Sequence, residues 1–256
     1  MNDSLRGKIE EIIGKINTVD LLVEQGCTSE VRKIETIKGL YLLKSAFKEK
    51  YRMWLKEEAR ILENINIEKQ IPVPDYYGFI EDDNSSNLIV SFENGTTLTT
   101  ALREAKSLTE RKSLIKSFGL FLHQFHEKEP IKVLEQKNDW LERQLVKAQY
   151  YVENGQTEGS KELLNQLIAR KPFSVKQTMI HGDCTTDNVL VKNGEVKLFI
   201  DIAGMTVGDP RYDISLAISD FVDDPELLNT FYDGYIRYRV SSEEFHYFND
   251  GLYEFF

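Results

Sequence analysis

The stretch TMIHGDCTTDNVLV (residues 178–191) contains an aspartate, Asp183, and an asparagine five positions later, Asn188. A second stretch, IDIAGMTVGDPRYD (residues 200–213), places Asp201 thirteen positions beyond Asn188. Phosphoryl transfer needs a carboxylate that orients the attacking hydroxyl, and metal ligands that help to neutralise the phosphates. Magnesium prefers oxygen ligands, here an amide oxygen and a carboxylate. The two stretches together supply the set of side chains that phosphoryl transfer requires.

A β-hairpin is expected between the two stretches. The short runs Val189–Val191 and Val196–Ile200 are typical of strands, and Asn193-Gly194 between them is the strongest short-range signal for a hairpin. Such a hairpin would fold Asn188 and Asp201 towards one another. A His-Gly-Asp tripeptide alone is common, but the spacing and the flanking strands together favour a functional site.

The hydrophobic periodicity of the rest of the chain divides it into two parts. The first part favours a helix over Tyr51–Ile65, a helix capped by Asp3 or Ser4, and strands at Asp20–Glu24, Val31–Glu35, Leu40–Lys44, Tyr76–Glu81 and Asn87–Phe92. The second part favours helices at Leu98–Ala105, Thr109–Glu127, Trp140–Val152 and Lys161–Ala169. Strands followed by helices predict an α+β chain with two lobes. The boundary is expected near residues 93–97.

Composition excludes several classes of function. Hydrophobic residues make up 41% and charged residues 29% of the 256 positions, which is ordinary for a globular enzyme. A net charge of −10 disfavours nucleic acid as a partner, and no apolar run is long enough for a membrane span. The N-terminus lacks a signal-peptide pattern, and Cys27 and Cys184 form no CxxC motif. We therefore expect free thiols and a cytoplasmic location.

The negative charge is concentrated at the C-terminal end. Residues 213–256 contain ten acidic residues and two basic ones, so this segment carries −8 of the net −10. One interpretation is a solubilising surface, which is the usual role of acidic segments. The other is an electrostatic field that attracts a cationic substrate. Composition alone favours the solubilising surface and leaves the cationic substrate open.

The pattern HGDxxxxN followed by IDxxxxxxGDPxxD resembles the aminoglycoside phosphotransferase family, whose members share the protein-kinase-like fold. The resemblance implies that Asp183 is the catalytic base and that Asn188 and Asp201 bind magnesium. It implies that Asp213 is the structural aspartate that opens the following helix. It also implies a bilobal α+β fold, with an N-terminal antiparallel sheet and one helix for nucleotide binding (residues 1–93) and a mostly helical lobe for catalysis and substrate binding (residues 94–256).

The N-terminal part agrees with this resemblance. A nucleotide-binding lobe needs a lysine on a strand to hold the phosphates and a helical glutamate to hold that lysine. Lys44 ends a strand pattern, and Glu58 lies fourteen positions later on the predicted helix. Glu57 is adjacent and is the alternative partner.

Further nucleotide contacts are expected from main-chain atoms. The turn that includes Gly26, Thr28 and Ser29 would lie over the phosphates, although it has a single glycine rather than a GxGxxG motif. The segment LIVSFENG (residues 88–95) resembles the hinge of kinase-like proteins, where the backbone bonds the adenine. Ser91 and Glu93 are the candidates there.

The C-terminal end resembles that of the aminoglycoside 3′-phosphotransferases, in which terminal acids and the end carboxylate hold the amines of the drug. Glu254 and the carboxylate of Phe256 match that ending, whereas Tyr253 stands where the family has aspartate. Gly204 also departs from the subfamily, which often has arginine there. These departures leave the kinase interpretation intact and make the acceptor uncertain.

The sequence therefore predicts a magnesium-dependent kinase that uses ATP or GTP to phosphorylate a hydroxyl of a cationic small molecule, with an aminoglycoside as the first choice. The alternatives are a kinase of another alcohol (a macrolide, an amino alcohol or a sugar) and a catalytically silent nucleotide-binding module. His126, on a predicted amphipathic helix, is expected to be a structural hydrogen-bonding residue rather than a metal ligand.

Overall fold

Two structural units make up the chain in the computed structural model, which describes residues 1–23, 25–66, 70–137 and 139–256. The first unit contains Met1–Asn94 together with Ile200–Ala203, and the second contains Gly95–Phe199 and Gly204–Phe256. Among the described residues, no helix combines the length and the apolar character needed to cross a membrane.

The first unit contains an antiparallel sheet of five strands in the order β1-β2-β3-β5-β4. The strands are β1 (Ile16–Leu21), β2 (Glu30–Thr36), β3 (Gly39–Ala46), β4 (Tyr76–Glu81) and β5 (Ser86–Ser91). Two helices belong to the same unit, α1 (Asp3–Ile13) and α2 (Glu49–Ile65). Helix α1 packs its buried face against the sheet, in an apolar cluster that includes Ile9, Ile13, Ile34, Leu43 and Ile89.

Two expectations about this unit were wrong. Helix α1 is capped by Asn2, whose side chain accepts a hydrogen bond from the backbone N–H of Leu5 at 2.8 Å, so neither Asp3 nor Ser4 is the cap. The first strand covers Ile16–Leu21 rather than Asp20–Glu24, because Ile16 is buried and pairs with Thr36 of β2. Glu24 lies outside the described residues.

The second unit is mostly helical. Its helices are α3 (Leu98–Glu104), α4 (Leu108–His126), α5 (Trp140–Glu153), α6 (Lys161–Ala169), α7 (Pro210–Ile218), α8 (Pro225–Tyr232) and α9 (Ser242–Phe248). Its strands are β6 (Thr96–Thr97), β7 (Thr178–Ile180), β8 (Val189–Lys192), β9 (Glu195–Phe199) and β10 (Thr206–Gly208), which form a three-stranded sheet in the order β6-β8-β9 and a pair β7-β10. A common core is formed by apolar side chains of α5, α6, α7, α9 and the C-terminal turn, residues 252–255.

The predicted hairpin is present between β8 and β9. Both turn residues have positive φ, 54° at Asn193 and 77° at Gly194. Positive φ at both positions belongs to the tight turn whose twist matches that of antiparallel strands. Asn188 immediately precedes β8, and Asp201 follows the end of β9 by two residues.

Helix α7 begins differently from the expectation. Its first residue is Pro210, and Asp209 caps it by accepting a hydrogen bond from the N–H of Arg211 at 3.0 Å. Asp213 therefore lies inside the helix and does not open it. Its carboxylate instead accepts hydrogen bonds from the backbone N–H groups of His181 and Gly182.

Candidate active site

Lys44 and Glu58 form a buried ion pair in the first unit. Lys44 lies on β3 with 7% of its surface exposed, and Glu58 lies on α2 with 5% exposed. The Lys44 Nζ donates to both carboxylate oxygens of Glu58, at 2.9 Å to Oε1 and 2.7 Å to Oε2. Glu57 instead pairs with Arg60 at 2.6 Å, so the partner of Lys44 is Glu58.

Asp201 supplies a second carboxylate to the same lysine. The Lys44 Nζ also donates to Asp201 Oδ1. Burial disfavours the charged form of Lys44, but the carboxylates of Asp201 and Glu58 outweigh this effect and raise the pKa of Lys44 above its ordinary value. Lys44 is therefore a permanently charged ammonium group in a desolvated position.

The backbone at Asp201 is in an unusual conformation. Its φ is +59°, in the left-handed region that residues other than glycine seldom adopt. Backbone strain of this kind is concentrated at functional sites, where the surrounding structure holds it in place. The Asp201 side chain nevertheless keeps 42% of its surface exposed, in contrast to the 8% of Lys44. A carboxylate with this exposure retains access to solvent and to solvent-borne ligands.

Replacing Glu58 with glutamine is expected to destabilise the fold. The variant loses a buried, charge-assisted contact to both carboxylate oxygens, which costs about 1.5–3 kcal/mol, while Asp201 still compensates the charge of Lys44. Urea unfolding measures the difference. The matched control is Glu57→Gln, whose pair with Arg60 is largely exposed and is worth less than about 1 kcal/mol. Equal destabilisation by the two variants would contradict the importance of the buried pair.

Asp183 is the centre of a second group of side chains, in the second unit. Its Oδ2 accepts a hydrogen bond from the Asn188 side-chain amide at 2.8 Å, and the same nitrogen lies 2.8 Å from the Asp183 carbonyl oxygen. Its Oδ1 accepts a hydrogen bond from the hydroxyl of Tyr253 at 2.9 Å. Its backbone N–H donates to His181 Nδ1 at 3.2 Å. These contacts fix the direction in which the carboxylate points.

Asp213 holds the loop that carries Asp183. Its carboxylate accepts the backbone N–H groups of His181 at 2.6 Å and Gly182 at 2.8 Å, and it is fully buried. His126 Nε2 lies 3.3 Å from the same carboxylate, and its Nδ1 lies 2.8 Å from the hydroxyl of Tyr235. His126 is thus a structural hydrogen-bonding residue. The buried network ties α4 and α7 to the start of the loop.

The loop also requires glycine at position 182. Its φ is +82°, and a Cβ atom there would lie 2.3 Å from the carbonyl oxygen of Gly204. Gly204 in turn is close enough to Gly182 that its own Cβ would lie 3.1 Å from the Gly182 carbonyl. The glycine at 204, where an arginine is frequent in the subfamily that the sequence resembles, therefore belongs to a close backbone contact.

Asn188 and Asp201 each carry a side-chain oxygen of the kind that magnesium takes as a ligand. The side-chain nitrogen of Asn188 donates to Asp183, so the oxygen of the same amide is the atom that could bind a metal ion. Within the described ranges, no three or more His, Cys, Asp or Glu side chains form a cluster that could hold a metal by themselves. Magnesium at phosphoryl-transfer sites takes one or two protein oxygens and completes its shell with phosphates and water, so a self-contained cluster is not required.

The other predicted nucleotide contacts lie in the first unit. Thr28 and Ser29 are half-buried in the segment between β1 and β2. Gln25 braces this segment, since its side chain accepts from Val31 N at 2.8 Å and donates to Leu22 O at 2.7 Å. No sequence pattern indicated this role of Gln25.

The predicted hinge pair is linked by its side chains. Ser91 Oγ donates to Glu93 Oε1 at 2.6 Å. The Ser91 N–H donates to the carbonyl of Asp75 at 2.9 Å, so the main-chain donor of Ser91 is used within the first unit. A main-chain contact of Ser91 to adenine would therefore have to use its carbonyl group.

Of the predicted acceptor residues, Glu254 lies in the C-terminal turn (residues 252–255) and Phe256 follows it. Glu254 has an exposed side chain, and its carbonyl accepts from Thr157 Oγ1 at 3.0 Å. The ring of Phe256 lies 5.0 Å from Lys147 Nζ. Tyr253, noted in the sequence only as a departure from a family pattern, is the residue that reaches Asp183. Seventy positions separate the two, so no local pattern could have indicated the contact.

Most of the acidic C-terminal segment is engaged within the protein. Six of its ten acids accept hydrogen bonds or form ion pairs, namely Asp213, Asp220, Asp224, Glu226, Glu244 and Asp250. The pairs of Glu226 with Lys112 and of Glu244 with Arg211 offset part of the negative charge of the segment. Glu254 is among the exposed acids of the segment.

Comparisons with known proteins agree with this geometry. A family model described as the phosphotransferase enzyme family matches residues 22–245. The fold is similar to that of an aminoglycoside-3′-phosphotransferase of type VIII, with a TM-score of 0.78, 20% identity and 100% of each chain covered.

Two further solved structures are similar at lower scores. A spectinomycin phosphotransferase in complex with ADP and spectinomycin has a TM-score of 0.62 at 17% identity, with 97% of this chain and 83% of that chain covered. The macrolide 2′-phosphotransferase MphH from Brachybacterium faecium has a TM-score of 0.61 at 14% identity, with 96% and 86% covered. These likenesses confirm the predicted kinase-like α+β fold.

Proposed function

Because the chain belongs to the phosphotransferase enzyme family, we propose that it transfers the γ-phosphoryl group of ATP or GTP to a hydroxyl of an aminoglycoside antibiotic. In this proposal, residues 1–93 bind the nucleotide and residues 94–256 provide catalysis and acceptor binding. The observation that carries it is the carboxylate of Asp183, whose Oδ2 is held by Asn188 and whose loop is held by the buried carboxylate of Asp213. A loop carboxylate held in one direction is what a general base for a bound hydroxyl requires.

Asp183 acts on the acceptor in this mechanism. It accepts a hydrogen bond from the acceptor hydroxyl, orients the oxygen for in-line attack on the γ-phosphorus, and receives the proton. Asn188 and the loop contacts of Asp213 keep the carboxylate in position during the reaction. Since there is little covalent chemistry for a kinase to perform, this positioning is a large part of the catalysis.

Lys44 acts on the nucleotide. Its ammonium group stays charged and is held by Glu58, so it is suited to stabilise the negative charge of the phosphates. We propose that Asn188 and Asp201 would provide oxygen ligands for magnesium, whose charge would offset that of the phosphates. Thr28, Ser29, Ser91 and Glu93 are proposed to contact the nucleotide through their main chains.

An acceptor screen tests the proposal directly. Purified protein is incubated with magnesium and ATP or GTP in the presence of single aminoglycosides, macrolides, amino alcohols or sugars. Phosphorylated product is detected by mass spectrometry and nucleotide consumption by a coupled assay. Transfer to an aminoglycoside supports the proposal, and a panel in which only uncharged alcohols are phosphorylated would refute the aminoglycoside assignment.

A second candidate is a kinase of a less cationic alcohol, such as a macrolide, an amino alcohol or a sugar. The observation that favours it is the phenol of Tyr253, which provides a neutral hydroxyl next to Asp183. The internal ion pairs of Glu226 and Glu244 in the C-terminal segment point in the same direction. The acceptor screen distinguishes the two candidates.

If the acceptor is cationic, its KM is expected to rise with ionic strength and to depend on Glu254. We propose Glu254 and Phe256 as acceptor-binding residues. Glu254→Gln should raise the acceptor KM by about two- to fivefold at low salt, the effect of an exposed ion pair, and the difference should shrink as the Debye length falls below about 8 Å. The nucleotide KM should not change.

The matched control for this experiment is Glu243→Gln. Glu243 is an exposed acid on α9 in the same acidic segment, so the net charge changes by the same amount. If both variants raise the acceptor KM equally, the segment acts only through its overall charge. If neither variant changes it, the acceptor is not held by Glu254.

A further inference from the structure

The hydroxyl of Tyr253 lies on the carboxylate that the proposed mechanism assigns to the acceptor. We propose that this phenol occupies the place of the acceptor hydroxyl on Asp183 and holds back attack by water until an acceptor displaces it. The inference rests on the proposed function, because it requires Asp183 to be the base. In this role the phenol suppresses hydrolysis of the nucleotide when no acceptor is bound.

The geometry at Asp183 identifies the oxygen that the acceptor must use. Oδ2 is engaged by the Asn188 amide at 2.8 Å, and Oδ1 accepts from the Tyr253 hydroxyl at 2.9 Å. A general base contacts the group it deprotonates at about 2.6–3.2 Å between heavy atoms. The phenol therefore makes, within the protein, the hydrogen bond that an acceptor hydroxyl would make.

The backbone around Tyr253 is firmly anchored. Leu252 and Phe255, on either side, are both 0% exposed and belong to the core of the second unit. The ring of Phe255 packs directly on Gly159, where a Cβ atom would lie only 2.5 Å from the ring. The contact to Asp183 is therefore a consequence of the fold and not of a loose chain end.

The side chain of Tyr253, in contrast, is partly exposed to solvent. It is half-buried, and its ring meets the ring of Tyr212 edge-on, with centroids 6.4 Å apart at 62°. An acceptor that binds next to Asp183 can displace the phenol by rotating this side chain while the backbone stays in place. The acceptor hydroxyl then takes over the bond to Oδ1.

The reaction that the phenol suppresses is hydrolysis. A water molecule that donates to Asp183 Oδ1 would attack the γ-phosphorus, pass its proton to Asp183, and release a nucleoside diphosphate and phosphate. With the phenol on Oδ1, a water molecule has to compete with the phenol for this hydrogen-bond position.

Tyr253→Phe tests this inference, because it removes the hydroxyl and keeps the ring. We expect acceptor-independent hydrolysis of magnesium ATP or GTP to rise about tenfold, in keeping with loss of a hydrogen bond to a charged group. The acceptor KM should fall and the kcat of transfer should stay within about twofold, since the acceptor no longer competes with the phenol. The double variant with Asp183→Asn should lose the gain in hydrolysis.

Tyr247→Phe is the matched control. It removes a phenol hydroxyl from the neighbouring helix α9, where the group donates to the carbonyl of Leu167 at 3.1 Å, and its hydrolysis rate should equal that of the unmodified chain. Unchanged hydrolysis in Tyr253→Phe would overturn the inference. A fall in the kcat of transfer without a rise in hydrolysis would also overturn it, because the phenol would then only orient the base. Phosphate found on Tyr253 by mass spectrometry would also overturn it.

The two proposals fail in different ways. Absence of phosphorylated acceptor in the screen with the unmodified chain refutes the proposed function. Equal hydrolysis by the unmodified chain and Tyr253→Phe refutes the role of the phenol, whatever the acceptor is, because this comparison is made with nucleotide alone.

Discussion

Asp183→Asn is expected to lower turnover by about 10²- to 10⁴-fold, the range lost when a general base is removed. Asparagine has nearly the same shape, so the loop held by Asp213 should stay in place. Its amide cannot receive a proton from the acceptor hydroxyl. Nucleotide affinity should remain close to that of the unmodified chain, because Lys44 and Asp201 are unchanged. Steady-state kinetics and nucleotide titration measure the two effects separately.

Asp187→Asn is the control for this variant. Asp187 lies in the same loop and is exposed, so the substitution makes the same change in charge and composition four residues away. Its turnover should stay within about twofold, as is usual for surface substitutions. If Asp183→Asn also retained near-normal turnover with its best acceptor, Asp183 would not be the base.

The strongest sequence patterns predicted local structure well. Strand β4 (Tyr76–Glu81) and helix α6 (Lys161–Ala169) have the expected bounds, and Asn193-Gly194 forms the turn of the expected hairpin. These features depend on residues close together in the sequence, where periodicity and turn chemistry act directly. The sequence of α2 also indicates which of the two glutamates, Glu57 or Glu58, pairs with Lys44.

Helix periodicity explains that choice. The buried positions of α2 include Leu55, Ala59 and Leu62, which follow the spacing of a single helical face. Glu58 lies on that face three residues after Leu55, whereas Glu57 faces outward and pairs with Arg60. The phase of the apolar residues therefore decides which glutamate reaches Lys44.

Contacts between residues far apart in the chain could not be predicted from the sequence. Strands β7 and β10 have three residues each, too few for a periodic pattern, and they are stable only because they pair with each other. The bonds from Asp213 to His181 and from Tyr253 to Asp183 span 32 and 70 positions. Nothing in the local sequence of either residue specifies its partner, which the packing of the second unit determines.

Asp201→Asn is expected to abolish the magnesium dependence of nucleotide binding and to lower turnover by at least about 10²-fold. The substitution removes a charged oxygen ligand, and metal ions at such sites contribute several kcal/mol of charge stabilisation. Fold stability should change less than in Glu58→Gln, because the Asp201 side chain is 42% exposed and Lys44 keeps its bonds to Glu58. Calorimetric titration of nucleotide at several magnesium concentrations, with urea unfolding, measures both quantities.

The comparison with Glu58→Gln separates two roles that Asp201 can have. If Asp201 served only to hold Lys44, the two variants would lose nucleotide affinity to a similar degree, and both would keep the metal requirement of the unmodified chain. A metal ligand predicts a different pattern, in which Asp201→Asn binds nucleotide equally with and without magnesium while Glu58→Gln still responds to the metal. Asp187→Asn again controls for the loss of one negative charge. An unchanged metal response in Asp201→Asn would therefore leave Asp201 as a partner of Lys44 and remove it from the set of magnesium ligands.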